Sequence, residues 1–140
     1  MARKRRVPEP LRRQTRERAN GQCEYCLVHE DTMIYSFEAD HIIAEKHRGK
    51  TTLENLAWAC VICNRNKGPD ISSIDPLHDT VVALFNPRKH QWKRHFRLNG
   101  PRIEPLTASG RATEFLLQFN IPERIEQRLA LISNGRYPQT

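Results

Sequence analysis

Four cysteines stand as two pairs with two residues between the members of each, Cys23-Glu24-Tyr25-Cys26 and Cys60-Val61-Ile62-Cys63. That spacing lets both thiolates of a pair reach one metal ion from a tight turn. Two such pairs complete a tetrahedral shell of four sulfurs, which suits Zn2+ and leaves no coordination position open for chemistry, so the implied zinc is structural. A redox reading would need a single pair in a thioredoxin-like βαβ setting, which the sequence lacks. Between and just after the pairs lie Asp40-His41, Asn55 and Asn64. Taken singly these are ordinary residues. An Asp-His at a strand end is commonly a hydrogen-bonded surface pair, Asn55 reads as a turn residue, and Asn64 reads as a helix-start residue that satisfies backbone N–H groups.

Their order is more specific than any one of them. The runs Glu38-Ala39-Asp40-His41-Ile42-Ile43, Gly49, Glu54-Asn55-Leu56 and Cys60-Val61-Ile62-Cys63-Asn64-Arg65-Asn66-Lys67-Gly68 follow one another inside and just beyond the two cysteine pairs. Over residues 23–68 the chain resembles the HNH endonuclease family. The resemblance implies a ββα-metal core of α+β class and hydrolysis of DNA phosphodiester bonds to 5′-phosphate and 3′-hydroxyl ends. It implies His41 as the general base, a role that suits an imidazole because its ordinary pKa lies near neutrality. It implies Asp40 and Asn64 as ligands of one catalytic divalent ion at the scissile phosphate, and Asn55 as the brace of the intervening loop. Asn64 stands where many members carry a histidine, giving a His-Asn-Asn variant. Two oxygen donors favour Mg2+ or Mn2+ over softer transition metals. Lys67, His47, Arg48 and Arg65 are candidate phosphate contacts, although loop polarity and a helix C-terminus account for such residues equally well.

The elements that must position these residues are short. Residues 11–19 form a helix-prone run stopped by Asn20-Gly21, with Leu11, Thr15 and Ala19 facing inward and the arginines facing solvent or phosphate. Residues 32–39 are rich in β-formers and read as a strand leading into Asp40-His41. Thr51 and Glu54 have capping-box spacing, residues 55–59 are apolar, and residues 64–67 read as a short helix ended by Gly68-Pro69. Beyond residue 70, a strand is expected over 80–85 and a hairpin over 92–106, turning at Asn99-Gly100 although Pro101 weakens the turn. Ala112, Phe115, Leu116 and Phe119 share one helical face, and Pro122 opens a second helix carrying Ile125, Leu129 and Ile132. Three units follow: residues 1–20 as a basic arm and helix, 21–70 as the zinc-stapled nuclease core, and 71–140 as a C-terminal β-hairpin and two-helix extension packing on that core.

The 140 residues carry a net charge of +7, and the pI is about 9.6. Such a balance marks a surface suited to nucleic acid, because cationic side chains release counterions from the phosphate backbone. No apolar run approaches the roughly 20 residues of a membrane span. Arg3, Lys4, Arg5 and Arg6 resemble the basic start of a signal peptide, but Pro8, Glu9 and Pro10 follow instead of an apolar segment, so a cytoplasmic protein is expected. DNA is the expected partner, no membrane is expected, and a homodimer stands open. The competing reading is a non-catalytic zinc-stabilised module that binds nucleic acid; it needs the cysteines and the charge but not Asp40, His41 and Asn64 together. An adaptor using the C-terminal helices has no specific support.

Overall fold

A computed structural model describes residues 7–139; the basic arm at residues 3–6 lies outside the described residues. Helix α1 (Glu9–Arg18) begins with Pro8 and Pro10, which are tolerated where backbone N–H groups lack partners anyway. Glu9 in its first turn and Arg16 and Arg18 in its last complement the helix dipole. Asn20 and Gly21 then adopt left-handed φ values of 54° and 74°, turning the chain into the first cysteine pair. Thr15 is fully buried, and Leu11 and Ala19 pack against the core.

The arginines of α1 do not simply face solvent. Arg12 donates to the Phe37 carbonyl at 2.9 Å and lies 4.9 Å over the Trp58 ring. Arg16 bonds Glu30 at 2.9 Å. Arg18 reaches the carbonyls of Leu53 and Leu56. They fasten the helix to the segment over residues 30–58, a use of arginine that the sequence pattern does not distinguish from a phosphate-binding face.

Strand β1 (Glu38–His41) pairs antiparallel with β2 (Leu56–Ala59), and helix α2 (Val61–Lys67) follows directly. This is a ββα unit. The strand is shorter than the β-formers from residue 32 suggest. Its partner has only four residues, so among the described residues no strand pairs with residues 33–37, and Ile34 and Tyr35 are exposed at 94% and 64%. Helix α2 starts earlier than expected because the Cys60 side chain caps it, accepting from the Cys63 amide.

The C-terminal half adds two further hairpins. β3 (Ser72–Asp75) pairs with β4 (Thr80–Ala83), and β5 (Phe96–Asn99) pairs with β6 (Arg102–Pro105). Trp92–His95 forms a helical turn, α3, rather than strand. Helix α4 (Ala108–Leu117) packs against β3, β4, β6 and α2, and α5 (Pro122–Ser133) begins at its proline. One apolar cluster runs from Cys23, Tyr25, Leu56 and Trp58 to Phe85, Phe96, Phe119 and Tyr137. Phe115, on the helical face shared by Ala112 and Phe119, is 66% exposed, whereas Ala112, Leu117 and Phe119 are buried. Among the described residues no helix is long and apolar enough to cross a membrane.

Asp75 anchors the β3–β4 hairpin to α4. Its carboxylate is fully buried, accepts two bonds from Arg111 at 2.9 and 3.0 Å, and also meets the Leu77 amide and His78. Arg111 above all, against opposing desolvation, holds this carboxyl well below the usual range, with Leu77 and His78 assisting. A depressed carboxyl pKa contributes stability that is fully present above the unfolded-state value of about 3.9 and is lost as pH falls toward the folded value. Arg111→Met should therefore lower the melting temperature at pH 7. The gap between parent and variant should begin to narrow as pH falls below about 4 and should keep shrinking down to pH 2.5. A constant gap from pH 7 to pH 2.5 would show that the pair is not the source.

Candidate active site

Register and pleat set out the candidate residues. Asp40 faces Ala57 and His41 faces Leu56 across the β1–β2 ladder, and successive side chains on a strand leave opposite faces. Both are buried, at 1% and 3% exposure. Asp40 turns toward the first cysteine turn and α2: its Oδ2 accepts from Tyr25 Oη at 2.9 Å and lies 3.2 Å from Lys67 Nζ. His41 turns toward the loop over residues 42–55. Its Nε2 lies 2.9 Å from Thr51 Oγ1 and 4.0 Å from Glu45 Oε1.

The loop is closed by Asn55. Its Oδ1 accepts from the Ile43 amide at 3.0 Å, and its Nδ2 donates to the carbonyls of Ile43 and Lys50 at 2.9 and 2.8 Å. One side chain thus joins both ends of the turn that carries Glu45 and precedes Thr51. The arrangement requires Gly49. A Cβ there would sit on the Ile43 carbonyl oxygen and within 2.9 Å of Asn55 Nδ2. Gly49→Ala should cost about 3 kcal/mol of stability through overpacking. Denaturant titration would measure this, and a loss below about 0.5 kcal/mol, the range of neutral surface substitutions, would contradict it.

Helix α2 contributes Asn64 and Lys67, which share a face because they are three residues apart. Lys67, a candidate phosphate contact by sequence, is 2% exposed. Its ammonium donates to the His41 carbonyl at 3.0 Å and pairs with Asp40. It closes α2 onto β1 instead of meeting solvent. Asn64 Oδ1 is buried and has no hydrogen-bond partner among the described residues. Leaving such an acceptor unsatisfied costs about 1–3 kcal/mol, so its retention calls for a cation or water in the finished site. His47, Arg48 and Arg65 are exposed and do not join this cluster.

The cysteines form the second feature. The four Sγ atoms lie within 4.8 Å of one another, all buried, with Cys26 and Cys60 at 3.8 Å. Zn–S bonds of about 2.3 Å in a regular tetrahedron place sulfurs about 3.8 Å apart, so the cluster fits zinc. Burial pushes the Cys23 and Cys63 thiols up, while hydrogen bonds from the other three sulfurs pull Cys26 down. Arg124, 3% exposed, donates to Cys63 Sγ at 3.1 Å and to the Leu117 carbonyl at 2.8 Å. Desolvation opposes its charge, but the sulfurs of Cys63, Cys26 and Cys60 outweigh that and raise its pKa.

Comparison with known families matches the HNH endonuclease model to residues 23–70. Residues 23–70 are an HNH domain. No curated protein and no solved structure matches the chain. The ββα unit and the four-cysteine cluster are the architecture expected of a zinc-knuckle HNH domain. The family assigns metal-dependent nuclease activity in general.

Within the HNH domain, several residues with evident work were missed from sequence. Thr51 has capping-box spacing, yet its hydroxyl meets His41, and the following 3-10 turn lacks any side-chain cap. Glu45 and Tyr25 carried no signal beyond their types. Outside the domain, α5 buries Arg124 and Arg128 and leaves Leu129 51% exposed, while Ile132 packs against the core as expected. The only trace in the sequence is that Arg124 and Arg128 lie four apart.

Proposed function

We propose that the chain is a metal-dependent DNA endonuclease in which His41 is the general base and Asp40 and Asn64 hold a catalytic Mg2+ or Mn2+. The observation that carries this reading is the buried Asn64 Oδ1, unpartnered among the described residues. It lies on the face of α2 whose Lys67 touches Asp40. A carboxylate and an amide oxygen are hard donors suited to these ions. Such an ion, when bound, neutralises charge developing on the phosphate. The chain's own residues do the rest. His41 accepts a proton from the attacking water, with Thr51 at 2.9 Å holding the ring's orientation. Asn55 fixes the loop that brings Thr51 and Glu45 to His41. His47, Arg48 and Arg65 offer positive charge to the backbone of a bound strand, and the net charge of +7 favours DNA as substrate. The segments 7–20 and 71–139 act as structural braces of this domain, through the α1 arginines and Arg124.

The alternative, a non-catalytic zinc-stabilised nucleic-acid-binding module, draws on a different observation: His41 is 3% exposed and Asp40 is already ion-paired with Lys67. Supercoiled plasmid and a structured RNA, each incubated with the zinc-loaded chain and Mg2+ or Mn2+, separate the two. Ion-dependent conversion of plasmid to nicked or linear forms is expected. Intact plasmid alongside a clear gel shift would favour the binding module, and cleavage of RNA alone would overturn DNA as substrate.

A further inference from the structure

Tyr25 lies inside the first cysteine pair, but its side chain serves a different centre. The residue is 1% exposed. The Trp92 indole N–H donates to its carbonyl at 2.8 Å, and its ring packs edge-on against Phe85 with centroids 6.5 Å apart. The flanking Cys23 and Cys26 belong to the zinc cluster, which fixes the backbone on either side. So held, the ring aims its hydroxyl at Asp40 Oδ2, 2.9 Å away. Lys67 Nζ approaches the same oxygen at 3.2 Å. Two donors converging on one oxygen set the plane of the carboxylate. Of the two, Tyr25 brings no charge that would repel an incoming cation.

We propose that Tyr25 is a positioning residue for Asp40, orienting its carboxylate for the catalytic ion and tying that ion's geometry to the zinc knuckle. The inference rests on Asp40 being a ligand, as argued above. Carboxylates that bind metals are themselves held by hydrogen bonds, and loss of such a partner typically costs about 10–100-fold in metal affinity or activity. The hydroxyl is not needed to hold zinc, because the thiolates and backbone do that.

The test is Mn2+ binding to the full zinc-loaded chain without DNA, followed by electron paramagnetic resonance, for the parent, Asp40→Ala and Tyr25→Phe. Asp40→Ala should abolish binding. Tyr25→Phe should retain the parent's zinc content and melt within a few degrees of it, yet bind Mn2+ about 10-fold more weakly. Parent-like Mn2+ binding by Asp40→Ala would remove the ligand reading itself. Loss in Asp40→Ala with parent-like affinity in Tyr25→Phe would overturn the role of Tyr25 while leaving that reading intact. Should Tyr25→Phe lose zinc, the parent chain labelled at the tyrosine ζ carbon decides. Saturation with Mg2+ should shift the Tyr25 resonance and leave exposed Tyr35 in place, and an unmoved Tyr25 resonance would overturn the proposal.

Discussion

His41→Ala is expected to slow DNA cleavage by about 10²–10⁴-fold, the usual contribution of a positioned general base. The imidazole is buried at 3% exposure, so the substitution also leaves the Thr51 hydroxyl without its partner. That should cost about 1–3 kcal/mol, a modest share of a typical domain stability of about 5–15 kcal/mol. The variant should therefore fold, keep its zinc and bind DNA with the parent's affinity while failing to cut. Single-turnover cleavage of plasmid under saturating Mg2+, beside a gel-shift titration, measures both quantities. A variant that cuts within a factor of three of the parent would remove His41 from the chemistry. Thr51→Val should give a smaller loss, because the hydroxyl orients the ring but moves no proton itself.

Removal of zinc should have the largest effect on structure. Structural four-ligand sites contribute apparent binding free energies of about 10–16 kcal/mol near neutral pH, comparable to or larger than the whole stability of a domain. All four cysteines here are buried in the main apolar cluster, so a metal held by them would join the first turn to β2 and α2 across 34 residues of sequence. A strong chelator, or Cys60→Ser, should collapse the far-UV spectrum and the cooperative melt. The effect should extend beyond the HNH domain. Arg124 on α5 donates to Cys63 Sγ and to the Leu117 carbonyl, so displacement of Cys63 when the metal is removed also loosens the anchor of α5. Amide exchange of α5 should therefore rise together with that of α2. A chelated chain with an unchanged spectrum and melt would show the zinc to be dispensable. An unfolded HNH region beside a fully protected α5 would show that Arg124 does not couple the two.

Much of the site was legible because its chemistry depends on spacing. Two Cys-x-x-Cys turns predict one tetrahedral metal whatever the rest of the chain does, and the sulfurs do converge. The order Asp40-His41, Asn55, Cys60-Cys63-Asn64 pointed to the HNH family, which the match over residues 23–70 bears out. Local signals also placed the Asn99-Gly100 hairpin turn and the start of α5 at Pro122. Such features are encoded within a few residues. The tertiary structure decided whatever depends on partners distant in sequence. β1 stops at four residues because β2 is equally short, and the polar segment Ser72–Asp75 becomes strand because β4 pairs with it and Arg111 anchors Asp75. Thr51 turns from helix capping to His41 because Asn55 folds the loop back on itself. Lys67, Arg124 and Arg128 look like solvated charges in the sequence, since a side chain's type does not record its counter-charge. Only the folded chain supplies Asp40 for the first, the cysteine sulfurs for the second and backbone carbonyls for the third, and those partners are what make burial of a cation affordable in free energy.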